Sequence, residues 1–345
     1  VQRVKLQKSL AFRTLAITNI SAYTTGSIVG IVMAYRDWGV WSLVTMQVLY
    51  AAIAVVLLAI ITHWHPSFCF SKESMKELFG FGGFIMAASI LQEVCKNLQG
   101  ILIGKKFSAT QMGYFSQAYK LDNITSYSIP QVIVQVMYPV YSSIQDERER
   151  LNDMVLMNIR VISFLIFPLL ALLILIGEPL ITLLYGDKWL PAVPYFQVLC
   201  IGGFFVCLQN VNFYAVAAVG KSKQLFYWSF YKWGVLLVAL ITGMTIGMYG
   251  ILWGMVLSNV NIFLVNCFLA SRHVGIRVGS QLKGLLPMTL ATGVSFLLTC
   301  AVNLFYPSLP IAIVLFLTSY VTISYACRFK ALDESILLIK KLLHR

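Results

Sequence analysis

The feature that leaves this chain the fewest choices is a succession of apolar runs, each about as long as a bilayer is thick. A helix needs about 20 mostly apolar residues to cross the hydrocarbon core. Ten segments meet that length, roughly 15–35, 40–62, 79–103, 114–142, 154–176, 192–219, 225–246, 249–270, 283–305 and 309–327. The runs are continuous rather than alternating, which fits helices and excludes a β-barrel. Only 11% of the residues are charged and 59% are hydrophobic, whereas a soluble domain carries about a quarter charged residues. The expected fold class is an all-α polytopic membrane protein, with short connections and no inserted soluble domain.

The net charge of +13 does not point to nucleic acid, because the basic residues gather on one side of the expected membrane. With the N-terminus placed in the cytoplasm, nineteen of the 26 Lys and Arg fall in inside segments, Lys221, Lys223 and Lys232 among them. Four (Arg36, Lys105, Lys106, Lys188) fall outside, and three (Lys96, Lys120, Arg160) fall within spans. Positive residues are retained on the cytoplasmic side, so both ends of this segment are expected there. The Lys105–Lys106 pair is a local exception. The tail "LDESILLIKKLLHR" offers Asp333 as a helix cap and an apolar face from Ile336 to Leu343. It reads as an amphipathic helix on the cytoplasmic surface. The opening "VQRVKLQKSLAFR" reads as a cytoplasmic loop entering a helix, in a chain whose natural start lies further upstream.

The seven cysteines (69, 95, 200, 207, 267, 300 and 327) form no CxxC pair and mostly sit inside apolar runs, where they act as small hydrophobes. His63 and His65 are two residues apart, which puts them on different helix faces with no third ligand nearby. A Ser-His-Asp set, a phosphate-cradling Gly-rich loop and metal-ligand spacing are all missing from the sequence. No metal, cofactor or catalytic residue is expected.

The informative residues are the polar ones inside the spans. In "SILQEVCKNLQG", Ser89, Glu93, Lys96 and Gly100 follow the spacing of one helix face, and Asn97 joins them. A charge at mid-membrane costs roughly 2.5–3.5 kcal/mol on insertion scales, so such residues face protein or a water-filled cavity. Glu93 and Lys96, one turn apart, could simply neutralise each other. That pairing leaves Gln92, Asn97 and Gln99 unexplained, and the wide polar sector favours a hydrated cavity.

The fourth span carries Lys120, Asp122, Asn123 and Ser126, with a snorkelling Lys120 as the plainer alternative. The sixth span has Gln209, Asn210 and Asn212 at its middle, where amides either glue helices together or meet a ligand. Asn259, Asn261 and Asn266 in the eighth span are open to the same two readings. Arg160 lies near the cytoplasmic end of its span and could snorkel. Pro130, Pro139, Pro168, Pro179 and Pro287 lie in or beside spans, positions where helices bend or rock. The last two spans carry almost no charge. They form an apolar hairpin that is either plain lipid-facing structure or a groove for an acyl or isoprenoid chain.

The stretches "QMGYFSQAYKL", "YPVYSSIQDERERL", "FPLLALL", "EPLITLLYGDKWLPAVPYFQVL" and "AVGKSKQLF" resemble bacterial polysaccharide transporters of the oligosaccharide flippase (Wzx-like) type. These belong to the superfamily of multidrug, oligosaccharidyl-lipid and polysaccharide exporters. "LAFRTLAI", "GIVMAY" and "GVWSLV" look like that family's fifth and sixth helices.

The resemblance implies about fourteen helices in two six-helix lobes and a final pair, of which this chain matches helices five to fourteen. Residues 1–78 would end the first lobe and residues 79–271 would form the second. Residues 272–327 would be the C-terminal hairpin and 328–345 the cytoplasmic tail. It also implies a flippase that moves polyprenyl-diphosphate-linked oligosaccharide across the bacterial inner membrane for surface or exopolysaccharide synthesis, by alternating access.

Glu93, Lys96, Asn97, Lys120, Asp122, Asn123, Gln209 and Asn210 are the resulting cavity candidates. Lys96 and Lys120 would meet the diphosphate. Glu93 and Asp122 would hold those lysines, contact sugar hydroxyls or carry a coupling proton. Expected partners are the lipid-linked substrate, membrane lipids, and polysaccharide polymerase and glycosyltransferase proteins. The alternative on the same fold is a multidrug-type exporter of small amphipathic compounds, whose cavity would prefer an acidic lining. A membrane polymerase is disfavoured by the short loops.

Overall fold

The computed structural model describes residues 2–8, 11–63, 71–305, 308–332 and 334. All regular structure among them is helical. The chain divides into two compact units, residues 1–73 and 74–345.

The first unit is a helical hairpin preceded by a short helix: α1 (Gln2–Lys8), α2 (Phe12–Tyr35) and α3 (Val40–Thr62). The turn between α2 and α3 places Asp37 and Gly39 at positive φ. Antiparallel packing follows from small residues at the seam: a Cβ on Gly26 would sit 3.0 Å from the Met46 carbonyl oxygen. Tyr23 stacks on Tyr50 with ring centroids 3.8 Å apart, and Arg3 donates to the Tyr50 hydroxyl at 3.3 Å. The outer surfaces are apolar, with Ile20, Ile31, Val48 and Val55 exposed. Lipid demands such a surface and water penalises it.

The second unit holds α4 (Lys72–Lys106), α5 (Ala109–Asn123), α6 (Ile129–Ser143), α7 (Arg148–Leu175) and α8 (Gly177–Tyr185). These are followed by α9 (Val193–Ala218), α10 (Ser222–Ile246), α11 (Met248–His273), α12 (Val278–Phe305) and α13 (Leu309–Ala326). α5 and α6 are one rod joined by a π-helical turn, Ile124–Ser128. That turn has a local cause. Pro130 has no N–H to donate and its ring clashes with the carbonyl four residues back, that of Ser126. Widening the ladder there lets the rod run on.

α9 is the central helix, packed by α5, α6, α7 and α11. Its Gly202 and Gly203 let neighbours approach closely: a Cβ on Gly203 would lie 2.9 Å from the Ser126 Cβ. α10 and α11 cross at Gly243 and Gly250, where a Cβ on Gly243 would come within 2.6 Å of the Gly250 carbonyl oxygen. The hairpin α12–α13 packs on α7, with Phe316 fully buried and Tyr320 nearly so.

Among the described residues, eight helices are long and apolar enough to cross a membrane. The two other long helical segments, α4 and the α5–α6 rod, carry the polar residues singled out above. The architecture is thus the expected all-α polytopic one, with about ten crossing segments. The connection between α7 and α9 is more ordered than its sequence foretold. It forms α8 and a 3-10 turn, Asp187–Ala192, with Trp189 edge-on to Tyr114 at 5.8 Å.

Arg160 does not depend on snorkelling. It forms a two-pronged ion pair with Glu334, and the fully buried Ala331 draws the chain after α13 into the bundle. The proposed tail helix, with Asp333 and residues 335–345, lies outside the described residues, as do Cys69 and His65. Cys95, Cys200, Cys207 and Cys267 are buried and unbridged.

Candidate functional site

The polar sector of α4 is wide because its residues straddle two environments. At 100° per residue, Gln92, Lys96 and Gln99 share the face that carries the buried Ala88 and Cys95. Glu93 and Asn97 turn away from it. They lie on an open face of α4 with Ile90, Val94, Leu98 and Ile101. Glu93 and Lys96 do pair, at 3.4 Å, with side chains 66% and 42% exposed. Asn97 spends its amide on the Glu93 carbonyl oxygen at 2.7 Å. Ile90 and Leu98 therefore share the Glu93 face rather than opposing it, contrary to a simple polar-against-apolar division of this helix.

Behind α4 the second unit encloses two adjoining chambers. One, of about 140 Å³, is lined by Gln92, Lys96 and Gln99 from α4 and by Asp122, Asn123 and Ser126 from the π-turn region. Gln209 and Asn210 from α9, Lys232 and Trp233 from α10, and Asn259 from α11 complete its polar wall. The other, of about 270 Å³, adds Ser89, Tyr138, Tyr214, Trp228, Ser229 and Asn266. Gln92, Tyr127, Gln209, Asn210, Lys232 and Trp233 line both.

The amides here both join helices and face the chambers. Asn210 donates to Gln131 at 2.6 Å and Gln131 donates to the Tyr214 hydroxyl at 3.0 Å, tying α9 to α6. The Trp228 indole donates to Asn266 at 2.7 Å, tying α10 to α11. Asn212 is purely a fastener: it is buried and donates to Gln281 of α12 at 3.0 Å.

Asp122 is 6% exposed. Ser126 donates to its Oδ2 at 3.1 Å, while Oδ1 is buried without a partner against the bare backbone of Gly203. The π turn and the missing Cβ at Gly203 make room for this carboxyl.

Of the eight candidates, Lys96, Asp122, Asn123, Gln209 and Asn210 come together on the chamber wall. Glu93 and Asn97 sit on the open face of α4, and Lys120 is exposed and apart from the chamber lining. Lys232 was missed. Counted with the inside loops, it is in fact the eleventh residue of α10, roughly 15 Å along the axis at 1.5 Å per residue. That depth, readable from where the apolar run begins, was the available signal.

A bundle of apolar helices closed around a chamber that carries amides, a carboxyl and two ammonium groups defines a multi-pass membrane protein built to accommodate something polar within the bilayer. Comparison with known sequences gives the family. The polysaccharide biosynthesis protein family matches residues 1–194, and the chain belongs to it.

Its relatives include the teichuronic acid biosynthesis protein TuaB of Bacillus subtilis, 26% identical over 87% of this chain and 62% of that protein. The lipopolysaccharide biosynthesis protein WzxC of Escherichia coli is 24% identical over 70% of this chain and 49% of its own length. The succinoglycan biosynthesis transport protein ExoT of Rhizobium meliloti is 21% identical over 65% of this chain and 45% of its own. The chain thus spans about half to three-fifths of these relatives. The fold is similar to that of the lipid II flippase MurJ in an inward closed conformation, with TM-score 0.59 and 15% identity, over 88% of this chain and 66% of MurJ.

Proposed function

We propose that this chain works in a flippase that carries polyprenyl-diphosphate-linked oligosaccharide units across the bacterial inner membrane, for surface or exopolysaccharide synthesis. The observation that carries the reading is the polar chamber with converging lysines inside an otherwise apolar helix bundle. Family membership and the transport and biosynthesis names of the relatives support it. The chamber has two lysines against one aspartate, a poor match for the acidic lining that a cationic drug prefers. The chain does no bond-making chemistry of its own. Its partners are the lipid-linked substrate, the surrounding lipids and the polymerase and glycosyltransferase proteins of the same route.

In this reading residues 1–78 close a first lobe, residues 79–271 form a six-helix second lobe, 272–327 a hairpin and 328–345 a cytoplasmic tail. The lobes rock to open the path to either side in turn. Glu93 and Asn97, on the open face of α4, meet the sugar hydroxyls. Lys96, on the chamber face of α4, meets the diphosphate. Lys120, Asp122, Asn123, Gln209 and Asn210 line the rest of the path.

Both ends of the segment are cytoplasmic. Moving Lys232 from loop to helix leaves eighteen inside basic residues against four outside, and the bias stands. A cysteine replacing Ser308, once the native cysteines are removed, will react with an impermeant thiol reagent from outside. Reaction only in broken cells contradicts the orientation. Deletion of the gene will cause a lipid-linked oligosaccharide to accumulate, detectable in lipid extracts by mass spectrometry. An unchanged lipid-linked pool contradicts the flippase reading.

A further inference from the structure

We propose that the back of α10 and α11, centred on Tyr231 and Asn261, is the interface with a second copy of this chain, and that each Asn261 amide donates across it. The inference is independent of what the chamber carries.

Asn261 is the fourteenth residue of the 26-residue α11, so it lies at mid-span, roughly 20 Å from either helix end at 1.5 Å per residue. It is nevertheless exposed. At 100° per residue it points away from Asn259 and Val256, which line the chamber. On α10, Tyr231 and Gly234 likewise lie on the side opposite Lys232 and Trp233. These back faces meet in an open groove of about 490 Å³.

The groove has a polar centre in an apolar frame. The Tyr231 hydroxyl donates to the Asn261 Oδ1 at 2.9 Å, while the two N–H groups of the Asn261 amide donate to no described residue. Asn97 folds its amide back onto its own helix; Asn261 does not. Around the pair, Val238 and Leu257 are 62% and 68% exposed. Gly234, one turn on from Tyr231, has no neighbour within 4 Å of where its Cβ would stand, which leaves a notch for an approaching helix.

An amide donor at mid-membrane needs an acceptor at its own depth, and the hydrocarbon core supplies none. The polar parts of phospholipids lie about 15 Å away, at the surface of that core. The acceptor therefore comes from protein. A two-fold axis along the membrane normal sets each residue opposite its own counterpart at the same depth, in a self-complementary contact. The partner's Asn261 carbonyl and Tyr231 hydroxyl each keep a lone pair for such a bond. Amides and small residues are the groups that join helices within a bilayer. The pair thus carries both halves of the hydrogen bonds that a symmetric dimer makes.

The test uses the full-length protein in liposomes at low protein-to-lipid ratio, in a background without native cysteines. Oxidation of Leu257→Cys should give a covalent product of two copies, identified by mass spectrometry. Leu297→Cys on α12, equally exposed at 69%, should give almost none. Energy transfer between differently labelled copies should show self-association that Asn261→Leu weakens about tenfold, as expected for the loss of two interhelical hydrogen bonds. Asn261→Gln, which keeps an amide, should retain most of it. Should Asn261→Leu not fold, the cysteine pair alone decides, because it leaves Asn261 in place. The proposal is overturned if position 257 cross-links no better than position 297, if position 257 joins only a different membrane protein, or if Asn261→Leu associates as well as wild type.

Discussion

α12 and α13 contain polar side chains, as the chamber helices do, yet the two regions dispose of them differently. In the hairpin the polar groups are mostly hydroxyls, which can fold back on their own helix. Thr299 donates to the Ser295 carbonyl at 2.8 Å, Ser324 to Tyr320 at 2.7 Å and Thr318 to Val314 at 2.8 Å. Tyr320 reaches only as far as the Phe164 carbonyl of α7, at 2.9 Å. An amide or ammonium has more donors than one backbone carbonyl can satisfy, even where one of them folds back, as Asn97 does on Glu93. In α4, α9, α10 and α11 most such groups turn to another helix, water or a ligand, and Gln92, Lys96, Gln209, Asn210 and Lys232 converge on a chamber. Hydroxyls in a span are therefore compatible with plain lipid-facing structure, whereas amides and charges need a partner, as Gln281 of α12 finds in Asn212.

The largest effect that would sharpen this contrast is expected at Lys96. Lys96→Ala should abolish transport while leaving protein level and insertion intact, because a diphosphate leaving water without a cation loses several kcal/mol. The Glu93–Lys96 pair is exposed on both sides, so its own worth is at most about 1 kcal/mol. If the double change Glu93→Gln with Lys96→Gln restores transport, Lys96 serves only to neutralise Glu93 and the chamber loses one of its cations.

A smaller effect, on stability, is expected at Gly203. Gly203→Ala would press a methyl against Ser126 and Asp122, at 2.9 and 3.1 Å, and overpacking of that kind costs about 1–3 kcal/mol. A lowered melting temperature in detergent checks it, and an unchanged one means that the π turn can yield. Asn210→Leu should cost about 1 kcal/mol by cutting the α9–α6 tie, read in the same assay. The smallest effect belongs to the hairpin. Thr299→Val removes a hydroxyl that serves only its own helix, and should leave both melting temperature and transport unchanged.

Much of this architecture could be read from the sequence because the bilayer dictates the length of an apolar run. The expected spans 40–62, 249–270 and 309–327 lie against α3, α11 and α13 (Val40–Thr62, Met248–His273 and Leu309–Ala326). α8 escaped because a nine-residue helix is too short to show a membrane period. The site was less legible. Periodicity places Ser89, Glu93, Lys96 and Asn97 near one another on α4, but it cannot say which edge of that sector turns into the bundle. That depends on which helices pack against it, here through Cys95, Ala88 and Gln99. Lys232 escaped for a related reason. A basic residue in the first half of a span looks like the end of a loop until the helix around it is seen to begin at Ser222.

The central claim is that the second unit holds a wet, polar chamber while the outer face of its hairpin meets only lipid. Single cysteines replacing Gln92 and Lys96 on the chamber wall, and Leu297 and Val314 on the hairpin, compare the two directly in a background without native cysteines. Leu297 and Val314 are 69% and 60% exposed, so steric access alone would make them the more reactive pair. The account predicts the opposite with a small hydrophilic thiol reagent in intact membranes, namely labelling at 92 and 96 and silence at 297 and 314. Labelling at the hairpin positions with silence at 92 and 96 would contradict it.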